Sequence, residues 1–190
     1  MNYDEYLKCA EKHLKSCQQI LDGLKSDVDN KEAYLDIWYL SGYIIEGCTV
    51  YSVYKLYGWN PPSSVKDIKT KYDKNFSQKT RLDFFHHRLD KNTKKLVFPE
   101  GLIIYSIQGH DFHSIIRGLL NVNPTFSDFP IMGSGEIDKD VEVLVNNWKP
   151  DIRYWYKEDE LEDIPKLTSD ILKRLINTCY SLYNKIMIFV

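Results

Sequence analysis

The sequence predicts an all-α fold, an antiparallel helical bundle built from a single domain over residues 1–190. Three observations point there. Apolar residues recur at alternating three- and four-residue steps near both ends of the chain, as amphipathic helices require. Prolines punctuate the spaces between such segments, at Pro61-Pro62, Pro124, Pro130 and Pro150. The length of 190 residues suits one domain, since domains commonly run about 100–200 residues.

The first helix is expected over residues 3–25, where Leu7, Ala10, Leu14, Cys17, Leu21 and Leu24 form one stripe and Asn2 with Glu5 has capping-box spacing. The second starts near Lys31, with Asp29 and Glu32 as its cap, and continues to about Tyr57; Gly58 and Pro61-Pro62 end it. Within it, Ile37 to Tyr54 is an eighteen-residue run with one charge, Glu46. A membrane-spanning helix needs about 20 predominantly apolar residues. Ser41, Glu46, Thr49 and Ser52 interrupt this run, so it reads as the central helix of the bundle, apolar nearly all round, and no membrane partner is expected.

Val65, Ile68 and Tyr72, and then Leu82, Phe85 and Leu89, make two short helical stripes, whereas Leu96–Phe98 and Leu102–Ile107 are apolar runs that periodicity does not assign. His110 to Leu120 reads as a helix and Asn121 to Gly135 as a loop. Val141, Leu144 and Val145 mark a short helix running up to Trp148 and broken by Pro150. The last helix is expected from near Pro165, with Leu167, Ile171, Leu175, Leu182 and Ile186 on its stripe.

Composition narrows the function without naming one. Apolar residues at 43% and charged residues at 27% describe a globular chain, not a disordered one. A net charge of −2 argues against a generally basic coat for nucleic acid. That charge is unevenly placed: residues 63–98 hold ten Lys and Arg against four Asp and Glu, a local +6 that leaves −8 elsewhere. Interleaved with Tyr72, Phe76, Phe84 and Phe85, this stretch has the composition of a surface that contacts phosphates and stacks bases. Cys9, Cys17, Cys48 and Cys179 show no CxxC spacing and read as small core residues in a reducing, cytoplasmic setting. Met1-Asn2-Tyr3-Asp4-Glu5 has neither the basic nor the apolar region of a signal peptide.

Three patches read together carry a resemblance. They are Leu40-Ser41-Gly42-Tyr43-Ile44-Ile45-Glu46-Gly47-Cys48, Gly109-His110-Asp111-Phe112, and Trp148-Lys149-Pro150-Asp151-Ile152-Arg153-Tyr154. In this order they resemble the HEPN domain (higher eukaryotes and prokaryotes nucleotide-binding) of prokaryotic members, over about residues 33–155 plus a compatible final helix. The resemblance implies a HEPN-like bundle with extra segments between the second and third core helices, over Ser63–Ile107. It implies a homodimer that binds a nucleotide or RNA, with a nucleotidyltransferase or an antitoxin as possible partner, in a defence or toxin–antitoxin setting.

The candidate ligand-binding residues are Glu46, His110, Asp111, Arg153 and Tyr154. A buried carboxylate must be paired, hydrogen-bonded or protonated, and the planar fork of Arg153 suits it; a Glu46–Arg153 contact is therefore expected. Asp111 near a helix start would favour the dipole and cap free N–H groups. His110 and His113 have HxxH spacing, but no third ligand follows, so no metal or other cofactor is expected. HEPN ribonucleases resemble one another in an Arg-x4-6-His motif, which Arg81-Leu82-Asp83-Phe84-Phe85-His86-His87 matches with either histidine. There, His86 or His87 would be the general acid/base and Arg81 the phosphate holder. On a straight helix Arg81 and His86 would point about 140° apart. The leading expectation is thus a non-catalytic HEPN-like domain that binds a nucleotide, RNA or a protein partner. A metal-independent ribonuclease using Arg81 with His86 or His87, and a structural helical scaffold, are the alternatives.

Overall fold

At 3.6 residues per turn, Leu7, Ala10, Leu14, Cys17 and Leu21 fall on one face of the first helix. A computed structural model of the chain describes residues 4–25, 30–56, 82–84, 88–89, 96–97, 105–107, 138–155 and 164–189, and in it all five are buried. This helix, α1, spans Asp4–Asp22. It stops short of the expected end because Gly23 follows, its N–H donating to Gln19 O and Ile20 O at 3.1 Å. Leu24 still packs half-buried against the core.

Three more α-helices lie among the described residues: α2 over Lys31–Leu56, α3 over Lys139–Asn146 and α4 over Ser169–Phe189. A 3-10 turn, Pro150–Tyr154, lies between α3 and α4. α2 is the centre: α1 packs along it, α4 packs on both, and the 3-10 turn sits on it, while α3 rests against α4. The expected all-α bundle is the architecture of these helices. Ile171, Leu172, Leu175, Ile176, Cys179, Leu182 and Ile186 of α4 are buried against the core. α4 begins later than Pro165 suggests, because Thr168 caps it, its Oγ1 accepting from Ile171 N–H at 3.3 Å. Leu167 is buried from outside the helix.

Leu82 and Leu89, expected on a helical stripe, lie in strands instead, and strands also fall within the two runs that periodicity does not assign. Leu82–Phe84 (β1), Arg88–Leu89 (β2), Leu96–Val97 (β3) and Tyr105–Ile107 (β4) are short strands; β1 pairs antiparallel with β4, and β2 with β3. Leu82 lies opposite Ile107 and Phe84 opposite Tyr105. The stripe of Leu82, Phe85 and Leu89 is too short to hold a helix alone, since isolated helices below about 12–15 residues are marginal in water. The expected His110–Leu120 helix, the Asn121–Gly135 loop, and the caps at Asn2, Asp29 and Gly58 lie outside the described residues.

Small residues let α2 occupy the centre. An added Cβ on Gly47 would lie 2.6 Å from the backbone oxygen of Tyr6 and 3.3 Å from Ala10 Cβ, so α1 and α2 nearly touch there. Cys17, Cys48 and Cys179 are buried, whereas Cys9 is exposed on α1, outside the core role its sequence position suggested. Burial pushes the Cys17 thiol up to about 12 and raises Cys48 and Cys179 as well, which keeps these sulfurs protonated and unreactive. The buried hydroxyls of α2 need no outside partner. Ser41, Thr49 and Ser52 donate to the carbonyls of Ile37, Ile45 and Cys48 at 2.7, 2.7 and 2.8 Å.

α3 is fastened at both ends. Asp138 caps its N-terminus, accepting from Asp140 N–H at 3.0 Å and Val141 N–H at 3.2 Å. Arg174 of α4 pairs with Asp138, with Asp140 at 3.4 Å and with Asp170 at 3.1 Å. The Val141 N–H, followed by the charge of Arg174, holds the Asp138 carboxyl below its ordinary range. At the other end, the Trp38 indole of α2 donates to Leu144 O at 2.9 Å. No helix among the described residues is long and apolar enough to cross a membrane.

In an exposed helix interior, Gly→Ala stabilises by about 1 kcal/mol. Here the sign is expected to reverse. An added Cβ on Gly42 would fall 1.8 Å from Trp148 Cε2, and overpacking commonly costs about 1–3 kcal/mol. Gly42→Ala and Gly47→Ala should each lower the urea midpoint at unchanged slope, and only Gly42→Ala should shift indole fluorescence strongly to the red. A raised midpoint in either variant would contradict this packing.

Candidate functional site

The site begins with how Trp148 is seated. Asn146 ends α3, and Trp148 swings back onto α2, where Gly42 offers no side chain and the indole fills the space a Cβ would take. The indole N–H donates to Tyr39 O at 3.0 Å. Tyr43 meets the same ring edge-on at 5.2 Å between centroids, a favoured aromatic geometry. Pro150 then starts the 3-10 turn with its φ already set, and Ile152 anchors it with 1% of its surface exposed.

With the turn pinned, its remaining side chains have nowhere inward to go. Arg153 is exposed and lies over the ring of Tyr154, 4.5 Å from the centroid. Tyr154 itself is 71% exposed. Lys149 lies over Trp155 at 4.9 Å, and Trp155 packs on Trp38 at 5.9 Å. The turn therefore presents two cations, each held on an aromatic ring.

Arg153 also connects to α2. The nearby Tyr39 hydroxyl is the first cause that raises the Arg153 pKa. The Tyr39 hydroxyl in turn donates towards the Tyr43 hydroxyl at 3.5 Å, the rings crossing edge-on at 5.0 Å. Burial and then that hydrogen bond raise the Tyr43 phenol; Glu46 raises it further and Arg153 opposes the shift. Tyr6 is raised by burial and by the same carboxylate. On the α1 side His13 approaches Tyr43, ring centroids 6.1 Å apart, and burial followed by the Lys12 charge lowers its pKa.

Glu46 and Arg153, expected to touch, instead flank Tyr43 with opposite electrostatic effect. No ion pair joins them among the described residues, and Arg153 turns to Tyr39 and Tyr154. Glu46 is half-buried at the edge of the bundle, not in its centre. Tyr154 lies beside Arg153 as the sequence order requires. His110, Asp111, Arg81, His86 and His87 lie outside the described residues. Tyr39, Tyr43 and His13 were not singled out from the sequence; the i,i+4 spacing of the two tyrosines on a helix was the available signal.

The arrangement supplies a fixed cation, neutral phenols and an imidazole in its proton-accepting form. The raised phenols stay neutral near pH 7, His13 stays neutral there too, and Arg153 keeps its charge. Among the described residues no group of three His, Cys, Asp or Glu side chains is arranged to hold a metal ion.

The His13 shift makes a pH dependence. A histidine with a depressed folded pKa binds its proton more readily when unfolded, so stability is fully present above the unfolded value of 6.5 and falls as pH drops through the lower folded value. Chemical denaturation between pH 7.5 and 5 (about the histidine range) should show this loss, and His13→Gln should flatten it. An equal slope in both proteins would rule His13 out as its source. In comparison with known proteins, no protein-family model, no curated protein and no solved structure matches the chain.

Proposed function

We propose that the chain is a non-catalytic, HEPN-like helical domain that binds a nucleotide or RNA through the 3-10 turn and the adjoining edge of α2. The observation that carries this reading is Tyr154, a ring 71% exposed with a guanidinium over it. An exposed ring offers a face to a base, and base–aromatic stacking is worth about 1–3 kcal/mol per base. Arg153 adds a permanent positive charge for a phosphate. The +6 stretch over residues 63–98 supplies further cations at the level of sequence. The HEPN-like part of the reading draws support from the meeting of two of its three patches. Trp148 of the last sits on Gly42 of the first.

The non-catalytic part rests on the Tyr43 phenol beside Arg153, which burial raises so that it is not ionised as a base near pH 7. Titration of the protein with ATP and with a short unstructured RNA, read by calorimetry or anisotropy, is the test. Binding is expected for at least one, and Arg153→Ala with Tyr154→Ala should weaken it roughly tenfold while circular dichroism stays unchanged; a tenfold change is about 1.4 kcal/mol. Undiminished binding in the double variant would end the assignment to this turn. The RNA should also remain intact on incubation. Cleavage that disappears in His86→Ala plus His87→Ala would make the protein a ribonuclease instead.

A further inference from the structure

Between Ser41 and Val50 the central helix reaches the surface at two positions, Tyr43 and Glu46, and the other eight residues are buried. Glu46 thus puts a carboxylate on the edge that also carries the Arg153 guanidinium. Tyr43 lies between the two and responds to both charges, in opposite directions. A surface built only to hold phosphate is weakened by a carboxylate at its side, because like charges repel. Such an acceptor gains from a ligand that brings hydrogen-bond donors as well as an anion.

The spacing along the edge separates these two tasks. Arg153 lies over Tyr154, 4.5 Å from the ring centroid, and its other neighbour is Tyr39, whose ring is 5.0 Å from that of Tyr43. Glu46 is seven residues beyond Tyr39, about 10 Å along α2 at about 1.5 Å per residue. That is longer than one base, so a base stacked on Tyr154 does not also reach Glu46. A strand of nucleotides meets both, and a single nucleotide does not.

We propose that Glu46 selects guanine in single-stranded RNA, at a nucleotide neighbouring the one stacked on Tyr154, with Arg153 on the phosphate between them. The proposal rests on the RNA-binding reading of this edge and adds the base that it prefers. Guanine presents two adjacent donors, N1–H and N2–H2, on the Watson–Crick edge that an unpaired strand leaves open, and a carboxylate accepts both side by side. Adenine and cytosine set a ring acceptor beside their amino donor, and uracil has one N–H between two carbonyls. Each of these turns a lone pair towards the carboxylate. Glu46 is half-buried, which sharpens the difference, since a partly desolvated acceptor facing another acceptor is penalised. A carboxylate has about four lone-pair sites, so the contact that Glu46 makes within the protein leaves room for the base.

Anisotropy titrations of the full chain with labelled RNAs of about eight nucleotides, oligo(A) and an alternating AG repeat, test this. The AG repeat is expected to bind about tenfold more tightly, in line with one bidentate base contact. An alternating AI repeat, whose inosine keeps N1–H and lacks the N2 amino group, should fall between the two. Glu46→Gln, which puts an amide donor where one carboxylate oxygen stood, should bring the ratio of AG repeat to oligo(A) close to one with unchanged circular dichroism. The inosine comparison uses the unaltered protein and decides the matter even where that variant fails to fold. Equal binding of the AG repeat and oligo(A), inosine as effective as guanine, or a guanine preference retained in Glu46→Gln would each overturn the selection of guanine while leaving RNA binding in place. Binding of neither RNA would overturn RNA binding itself, and the selection with it.

Discussion

Two indole hydrogen bonds, running in opposite directions between neighbouring points, fix the part of the molecule on which the candidate site depends. Trp38 of α2 donates to Leu144 O in α3, and Trp148, just beyond α3, donates to Tyr39 O in α2. A helix carbonyl has a second lone pair, so Tyr39 O can accept the indole without giving up its place in α2. Both contacts are wholly or largely buried, and a buried indole N–H left without a partner carries a desolvation penalty of about 1–3 kcal/mol. The pairing therefore determines where α3 lies and the direction in which the chain leaves it. The 3-10 turn has no freedom to sit elsewhere once Trp148 is on Gly42.

That constraint explains why the outward groups of the turn are organised although they are exposed. An exposed arginine ordinarily samples many rotamers, and ordering it costs side-chain entropy. Arg153 has two neighbours that narrow the choice, the ring of Tyr154 beneath it and the Tyr39 hydroxyl beside it. Tyr39 belongs to the same residue that accepts from Trp148. One α2 residue thus receives Trp148 on its carbonyl, and its hydroxyl favours the charged form of Arg153. A ligand that takes up Arg153 would meet a partly pre-ordered group and would have less ordering entropy to overcome on binding.

The helices were legible in the sequence wherever one face alternated clearly with another. Leu7 through Leu21 in α1, and Ile171 through Ile186 in α4, repeat often enough that burial follows from spacing alone. Val141, Leu144 and Val145 were readable for the same reason, even in an eight-residue helix. The strands β1 to β4 were not, because two- and three-residue pairings are decided by a distant partner such as Tyr105–Ile107 and leave no period of their own. Of the candidate site, Arg153 and Tyr154 were visible as residues, but their setting was not. The role of Gly42 lies in a contact with a residue 106 positions away along the chain. The Arg174 clasp on Asp138, Asp140 and Asp170 was hidden likewise, since two of its three partners belong to another element.

The reading of α2 as apolar nearly all round concealed the polar edge that adjoins the 3-10 turn. Counting tyrosine as apolar averages a ring with a hydroxyl, and the average loses direction. At about 100° per residue, Tyr39, Tyr43 and Glu46 fall within about 60° of arc. The single charge of the run and two of its phenols thus lie on one edge, where all three are half-buried. The other polar residues in the run behave differently. Ser41, Thr49 and Ser52 are buried and return their hydrogen bonds to their own helix. Polar groups that satisfy themselves can be placed at the centre of a bundle, whereas Glu46 and the long phenols need neighbours from outside the helix or water. Glu46 therefore marks the side of the central helix left open to the 3-10 turn, His13 and solvent. It is a boundary residue whose charge helps keep Tyr43 and Tyr6 protonated, and this makes the open edge a surface suited to recognition.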